Sequence, residues 1–179
     1  MSIQQREMTI EEFIVFATSP ENENRNFEFI DGEIIEMSPS RARNSELGDV
    51  LSFEVRTFCK QHNLPCHTAG RDATFNILDN VITPDFVYKP TEMSWDYPDP
   101  VAPLWVAEMI SPSETANEVS SKREVYLRAG ILYWEIYYPK RRVDVYAPGQ
   151  PPKSHFVGDV LNGGDVLPGF TLEVAVLFA

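Results

Sequence analysis

Three pieces of the stretch from Thr83 to Lys122 decide how the chain is read: Thr83-Pro84-Asp85-Phe86-Val87, then Leu104-Trp105-Val106-Ala107-Glu108-Met109-Ile110, then Lys122 on an expected helix. Residues 104–110 are too short for a helix and rich in β-formers, so they predict a buried strand. Side chains alternate along a strand, which puts Glu108 on one face with Leu104, Val106 and Ile110. An ionised carboxylate in such company is costly unless a cation or hydrogen-bond donors meet it. The simplest physical reason to keep it is a site with a metal ion or a lysine. Asp85 stands at the mouth of another strand, 23 residues earlier, enough to pair the two strands through a long loop.

Working outward, Ser111-Pro112-Ser113 ends the Glu108 strand, and a helix is expected from Asn117 to Ala129, closed by Gly130. Glu118, Lys122 and Tyr126 are four apart and share a face of it. Strands are expected at 132–138 and 143–146, with short ones near 154–157 and 171–176. Before the Glu108 strand, residues 89–103 form a long loop with four prolines, Trp95 and Tyr97; loops of that length are often functional or disordered.

Upstream, Thr9-Ile10-Glu11-Glu12 reads as a capping box for a helix to about Thr18, with Phe13, Phe16 and Ala17 on one face. Ser19-Pro20 stops it, and 21–26 is a polar loop. Residues 27–37 predict a hairpin turning at Asp31-Gly32, a pair suited to a type I′ turn. Glu28 faces opposite to Phe27 and Phe29: a solvent-facing strand residue on one reading, a third acid near the site on the other. Ser38-Pro39-Ser40 separates the hairpin from a helix over 44–62, whose apolar face is Leu47, Val50, Leu51, Val55 and Phe58. Residues 66–78 look extended, Asp79-Asn80 reads as a turn, and Asp85 opens the strand Phe86-Val87-Tyr88. With no repeats or linkers, residues 1–179 read as one α/β domain.

The composition is that of a globular protein: 179 residues, 43% hydrophobic and 23% charged. Cys59 and Cys66 fit no zinc spacing and are expected to be reduced. The stretch Met1 to Glu12 is polar, and no run reaches transmembrane length, so the expectation is a cytoplasmic protein with no membrane partner. A net charge of −12 counts against casual nucleic-acid binding. Local basic clusters at Arg41 and Arg43, at Lys122, Arg123 and Arg128, and at Lys140 to Arg142 are ordinarily solvated faces.

Two carboxylates and a lysine form the kit for magnesium-dependent phosphodiester hydrolysis. Carboxylate oxygens hold the ion, the ion polarises the phosphoryl oxygen and acidifies a water, and the lysine meets the developing charge. Each residue also has a plain structural reading: Asp85 as a strand-start cap, Glu108 as an ion-pair partner of Lys122 or Arg123, Lys122 as an exposed helix lysine. His62, His67 and His155 are isolated and take no role.

Over roughly residues 9–178 the chain resembles the Uma-two-type putative restriction endonucleases, a branch of the PD-(D/E)XK nuclease superfamily. The residues that carry the resemblance are 27–33, Met37-Ser38-Pro39, Thr83-Pro84-Asp85, 106–113, then Lys122, Tyr126, Gly130, Tyr133-Trp134 and 167–172. It implies a restriction-endonuclease-like central mixed sheet flanked by helices, with Asp85 and Glu108 as ligands of Mg2+ or Mn2+. The superfamily's lysine would stand two residues after the glutamate, where this chain has Ile110; in this branch it is moved to the next helix, which points to Lys122, with Arg123 as fallback. The branch often has a histidine just after the Ser-Pro break; here stand Arg43-Asn44-Ser45-Glu46.

The expected catalytic set is therefore Asp85, Glu108, Lys122 and Glu28, with DNA as partner and a homodimer as assembly. Lys122→Ala is expected to fold and hold metal while losing cleavage. The alternative is a catalytically degenerate nuclease fold that binds nucleic acid or protein.

Overall fold

In the computed structural model, which describes residues 8–39, 41–112 and 114–179, strands β1 (Phe27–Ile30) and β2 (Glu33–Glu36) form the expected hairpin. Asp31 at φ 47° and Gly32 at φ 88° both occupy the left-handed region that a type I′ turn requires. The polar stretch before Met8, and Ser40 and Ser113 of the two Ser-Pro breaks, lie outside the described residues.

Helix α1 (Ile10–Ala17) starts at the Thr9–Glu12 capping box, with both reciprocal bonds present. It buries Phe13 against Phe27, Phe29 and Val81. Helix α2 (Ala42–His62) buries Leu47, Gly48, Leu51, Val55 and Cys59; Val50 and Phe58 lie only at the margin of that face. It ends at Asn63 in the left-handed conformation.

Strands β3 (His67–Gly70), β4 (Phe75–Ile77), β5 (Asn80–Ile82) and β6 (Phe86–Lys89) follow. The turn between β4 and β5 falls at Leu78 and Asp79, both with positive φ, one residue earlier than Asp79-Asn80. Asn80 begins a strand that the sequence did not announce: its side-chain amide donates to the carbonyls of Ile77 and Leu78, closing the turn from inside.

Strand β7 (Trp105–Met109) is joined through helix α3 (Ala116–Arg128) to β8 (Leu132–Tyr137), its parallel neighbour. Helix α3 has its own capping box, Thr115 with Glu118. Strands β9 (Arg142–Tyr146), β10 (Lys153–Phe156), β11 (Val160–Gly163) and β12 (Leu167–Glu173) and helix α4 (Val174–Leu177) complete the chain. The expected strand at 171–176 is thus divided between β12 and α4, and β11 was not foreseen.

The main sheet has six strands in the order β10-β9-β8-β7-β6-β3, antiparallel except for β7 with β8. Alternation sorts its side chains into two cores. Trp105, Ala107 and Met109 pack toward α2, α4 and β12. Val106, with Val87 and Tyr133, packs toward α3 and the smaller sheet β2-β1-β5-β4. Glu108 shares the Val106 face and points under α3.

The 89–103 loop is ordered around a buried ion pair, Lys89 Nζ to Asp99 Oδ2 at 2.6 Å, and Asp99 also accepts from the amides of Ser94 and Val101. Burial works against ionising Asp99, but Lys89 and those amides outweigh it and hold the carboxyl below its usual range. Both cysteines are free. Among the described residues no helix is long and apolar enough to cross a membrane.

Candidate active site

Register builds the site. In the β6–β7 ladder Phe86 pairs with Ala107, so one residue further Asp85 comes opposite Glu108. The two acids interlock: the Asp85 amide donates to Glu108 Oε2 at 3.3 Å, and the Met109 amide donates to Asp85 Oδ2 at 2.7 Å. Both acids line a cavity of about 260 Å3 together with Glu28, Lys122, Asn44, Arg71 and residues of the β2–α2 connection.

Lys122 reaches down from the second turn of α3. Its ammonium lies 2.9 Å from Glu28 Oε1 and 3.5 Å from Glu108 Oε1, with the side chain 17% exposed. It is therefore not an exposed helix lysine. Glu28 is 3% exposed, and the Thr83 amide donates to its Oε1 at 3.0 Å. The solvent-facing reading of Glu28 is corrected: Phe27 and Phe29 take the α1 side, which leaves Glu28 pointing inward beneath α3. One turn beyond Lys122, Tyr126 donates its hydroxyl to Glu108 Oε1 at 2.7 Å. The structure thus brings Asp85, Glu108, Lys122 and Glu28 together.

Arg123, the fallback cation, turns elsewhere. Its Nε pairs with the fully buried Glu135 of β8 at 2.6 Å, and Tyr137 and Tyr146 also donate to that carboxylate. Glu135 pairs in register with Glu108, so consecutive cations of α3 grip acids on consecutive strands. The basic clusters are largely solvated, as expected: Arg41, Arg128, Lys140 and Arg141 are exposed, Arg128 meeting Asp31 at 2.9 Å at the surface, while the half-buried Arg142 meets Asp144 at 2.9 Å.

Two residues of the site were not in the set expected from sequence. Tyr126 had a signal, its shared face with Lys122. Arg71, whose Nε is 3.0 Å from Asp85 Oδ1, had none, because only the pairing of β3 with β6 brings it there. Where the histidine would stand, Asn44 lines the cavity and donates to the Met109 carbonyl at 3.1 Å, while Arg43 pairs with Glu46. None of the three histidines lines the cavity.

Electrostatics follows from crowding acids under a helix. Burial pushes Glu108 up to about 8, with the neighbouring charges of Asp85 and Glu28 adding to the rise and Lys122 opposing it. Asp85 is raised by burial, against Arg71 and the Met109 amide. For Lys122 burial disfavours the charge, but Glu108 and Glu28 outweigh it and keep the ammonium protonated.

The donor set fits a hard divalent ion: two carboxylates with lone pairs to spare, in a polar cavity whose acids are costly to ionise without a cation. Among the described residues no three His, Cys, Asp or Glu side chains form a metal-holding group.

Comparison with known proteins adds to this. The family model described as "Uma2: Putative restriction endonuclease" matches residues 10–175. Among solved structures, the chain is similar to a crystal structure described as a putative nuclease belonging to DUF820 from Anabaena variabilis ATCC 29413. That likeness has a TM-score of 0.77 and 20% identity over 96% of this chain and 97% of the other, which shows a shared fold. No curated protein matches the chain.

Proposed function

The chain belongs to the Uma2 family of putative restriction endonucleases, and from that premise we propose that it is a divalent-metal-dependent DNA endonuclease centred on Asp85 and Glu108. The observation that carries this reading is a pair of interlocked carboxylates at the ends of adjacent strands, Glu108 buried and Asp85 nearly so, beside a half-buried lysine in a polar cavity.

Asp85 and Glu108 would hold Mg2+ or Mn2+. When bound, the ion would supply Lewis acidity at the phosphoryl oxygen and an acidified water. The chain's own residues do the rest. The Met109 and Asp85 amides fix the two carboxylates, and the Tyr126 hydroxyl orients Glu108. Lys122 presents its ammonium to the charge that develops on the phosphoryl group. Glu28, itself held by the Thr83 amide, keeps that ammonium in place.

Among the described residues six acidic and three basic side chains line the cavity, so without a divalent cation it repels phosphate. DNA binding should therefore follow the metal. The test is cleavage of varied DNA with Mg2+ or Mn2+, beside Mn2+ binding measured by calorimetry, in the parent and in Asp85→Ala. Loss of both in the variant is expected. Cleavage that survives Asp85→Ala, or a parent that binds no metal, overturns the reading.

Two observations favour the alternative, a nuclease fold that binds without cutting: Lys122 is already engaged by two carboxylates, and no histidine lines the cavity. Its signature is metal-dependent DNA binding with no cleavage in either ion. The expected homodimer is checked by sedimentation.

A further inference from the structure

Arg71 has no part in the roles above. The β3–β6 ladder pairs Gly70 with Phe86, so Arg71 comes opposite Asp85 just as Asp85 comes opposite Glu108. Arg71, Asp85 and Glu108 thus stand in a row across three neighbouring strand ends. The contact of Arg71 with Asp85 is an ion pair at 3.0 Å, and among the described residues no oxygen accepts a hydrogen bond from its guanidinium. Its donors are free to face the cavity, and its side chain is 24% exposed.

Its position is a crossroads. Arg71 lines the acid cavity, a second cavity of about 680 Å3 along α2 and β3, and a third of about 220 Å3 that reaches Tyr97. Lys122 is held between two carboxylates, whereas the only acid on Arg71 among the described residues is Asp85. A divalent ion on Asp85 would take the charge that holds Arg71 and repel its guanidinium. A planar guanidinium released beside a phosphodiester matches it with paired donors, which an ammonium does not.

Resting on the nuclease reading, we propose that Arg71 is a phosphate-binding residue of this site, held on Asp85 until a divalent cation takes that carboxylate. Arg71 then turns to the phosphodiester and draws the strand across the junction of the cavities.

The experiment uses the full chain as parent, Arg71→Ala and Arg71→Lys. Mn2+ binding is measured by calorimetry without DNA, and cleavage is followed across DNA concentrations at saturating Mn2+. Arg71→Ala should bind Mn2+ several-fold more tightly, because no guanidinium competes for Asp85. Its KM for DNA should rise about tenfold, as expected for one lost charged hydrogen-bonding partner. Arg71→Lys should return metal affinity to the parent value while recovering KM only in part; this variant decides the matter if Arg71→Ala does not fold. A parent that binds Mn2+ and cuts, with Arg71→Ala unchanged in metal affinity or in KM, overturns the role of Arg71 alone. A parent that neither binds Mn2+ nor cuts overturns the nuclease reading and this inference with it.

Discussion

Lys122 is the residue whose surroundings most change what its removal should do. With Glu28 at 2.9 Å and Glu108 at 3.5 Å, its ammonium is the shared counter-charge of two buried acids. Removing one partner of a buried pair leaves an uncompensated charge, which costs about 3 kcal/mol or more. Lys122→Ala is therefore expected to lower stability by about 3 kcal/mol as well as cleavage by roughly 100-fold or more. That differs from the expectation of an intact fold drawn from sequence. Adding Glu28→Gln to Lys122→Ala removes one stranded charge and should recover part of the stability but none of the cleavage. Urea unfolding and cleavage rates of the single and double variants check this; a Lys122→Ala chain as stable as the parent would count against the ion-pair account.

At the scale of elements, α2 and α3 position the acids from opposite faces of the sheet. Helix α3 is aligned by successive grips, Lys122 on the Glu108 strand and Arg123 on the Glu135 strand. Helix α2 comes so close that a Cβ on Gly48 would lie 3.2 Å from the Asp85 carbonyl oxygen, and Asn44 bonds to the Met109 carbonyl above it. Gly48 is therefore a spacer for the strand mouth. Gly48→Val should cost about 2 kcal/mol by overpacking and weaken Mn2+ binding by shifting Asp85. The same change at the exposed Asp49 should leave metal binding alone. Equal effects of the two variants on Mn2+ affinity would remove the spacer role.

Over the whole molecule, the site leaves a mark on stability against pH. The folded-state value of Glu108, about 8, lies above its ordinary 4.5, with burial as the main cause. The folded chain therefore holds a proton there that the unfolded chain gives up. The contribution is present in full below about 4.5 and is lost as pH rises through about 8. In EDTA the parent should lose stability between those values relative to Glu108→Gln, which cannot titrate. Mn2+ should restore the parent more at the alkaline end, since metal and proton compete for the same oxygens. Melting curves of both chains across the range test it; parallel pH profiles would show that Glu108 titrates normally.

The sequence by itself determined what short-range physics controls. Asp31-Gly32 fixed the hairpin because both residues reach left-handed backbone readily, and Thr9 with Glu12 fixed the start of α1 through two local hydrogen bonds. An acid alternating with Val106 in an apolar strand marked Glu108, and helical spacing put Lys122 and Tyr126 on one face. Only the tertiary structure decided which way Glu28 faces, that Arg123 serves Glu135, and that Arg71 stands beside Asp85. It also decided β5 and β11, three and four residues long, which exist through pairing with distant or later strands. The physical reason is that torsional preferences and caps act over a few residues, whereas ladder register and the covering of a sheet face are set by partners far along the chain.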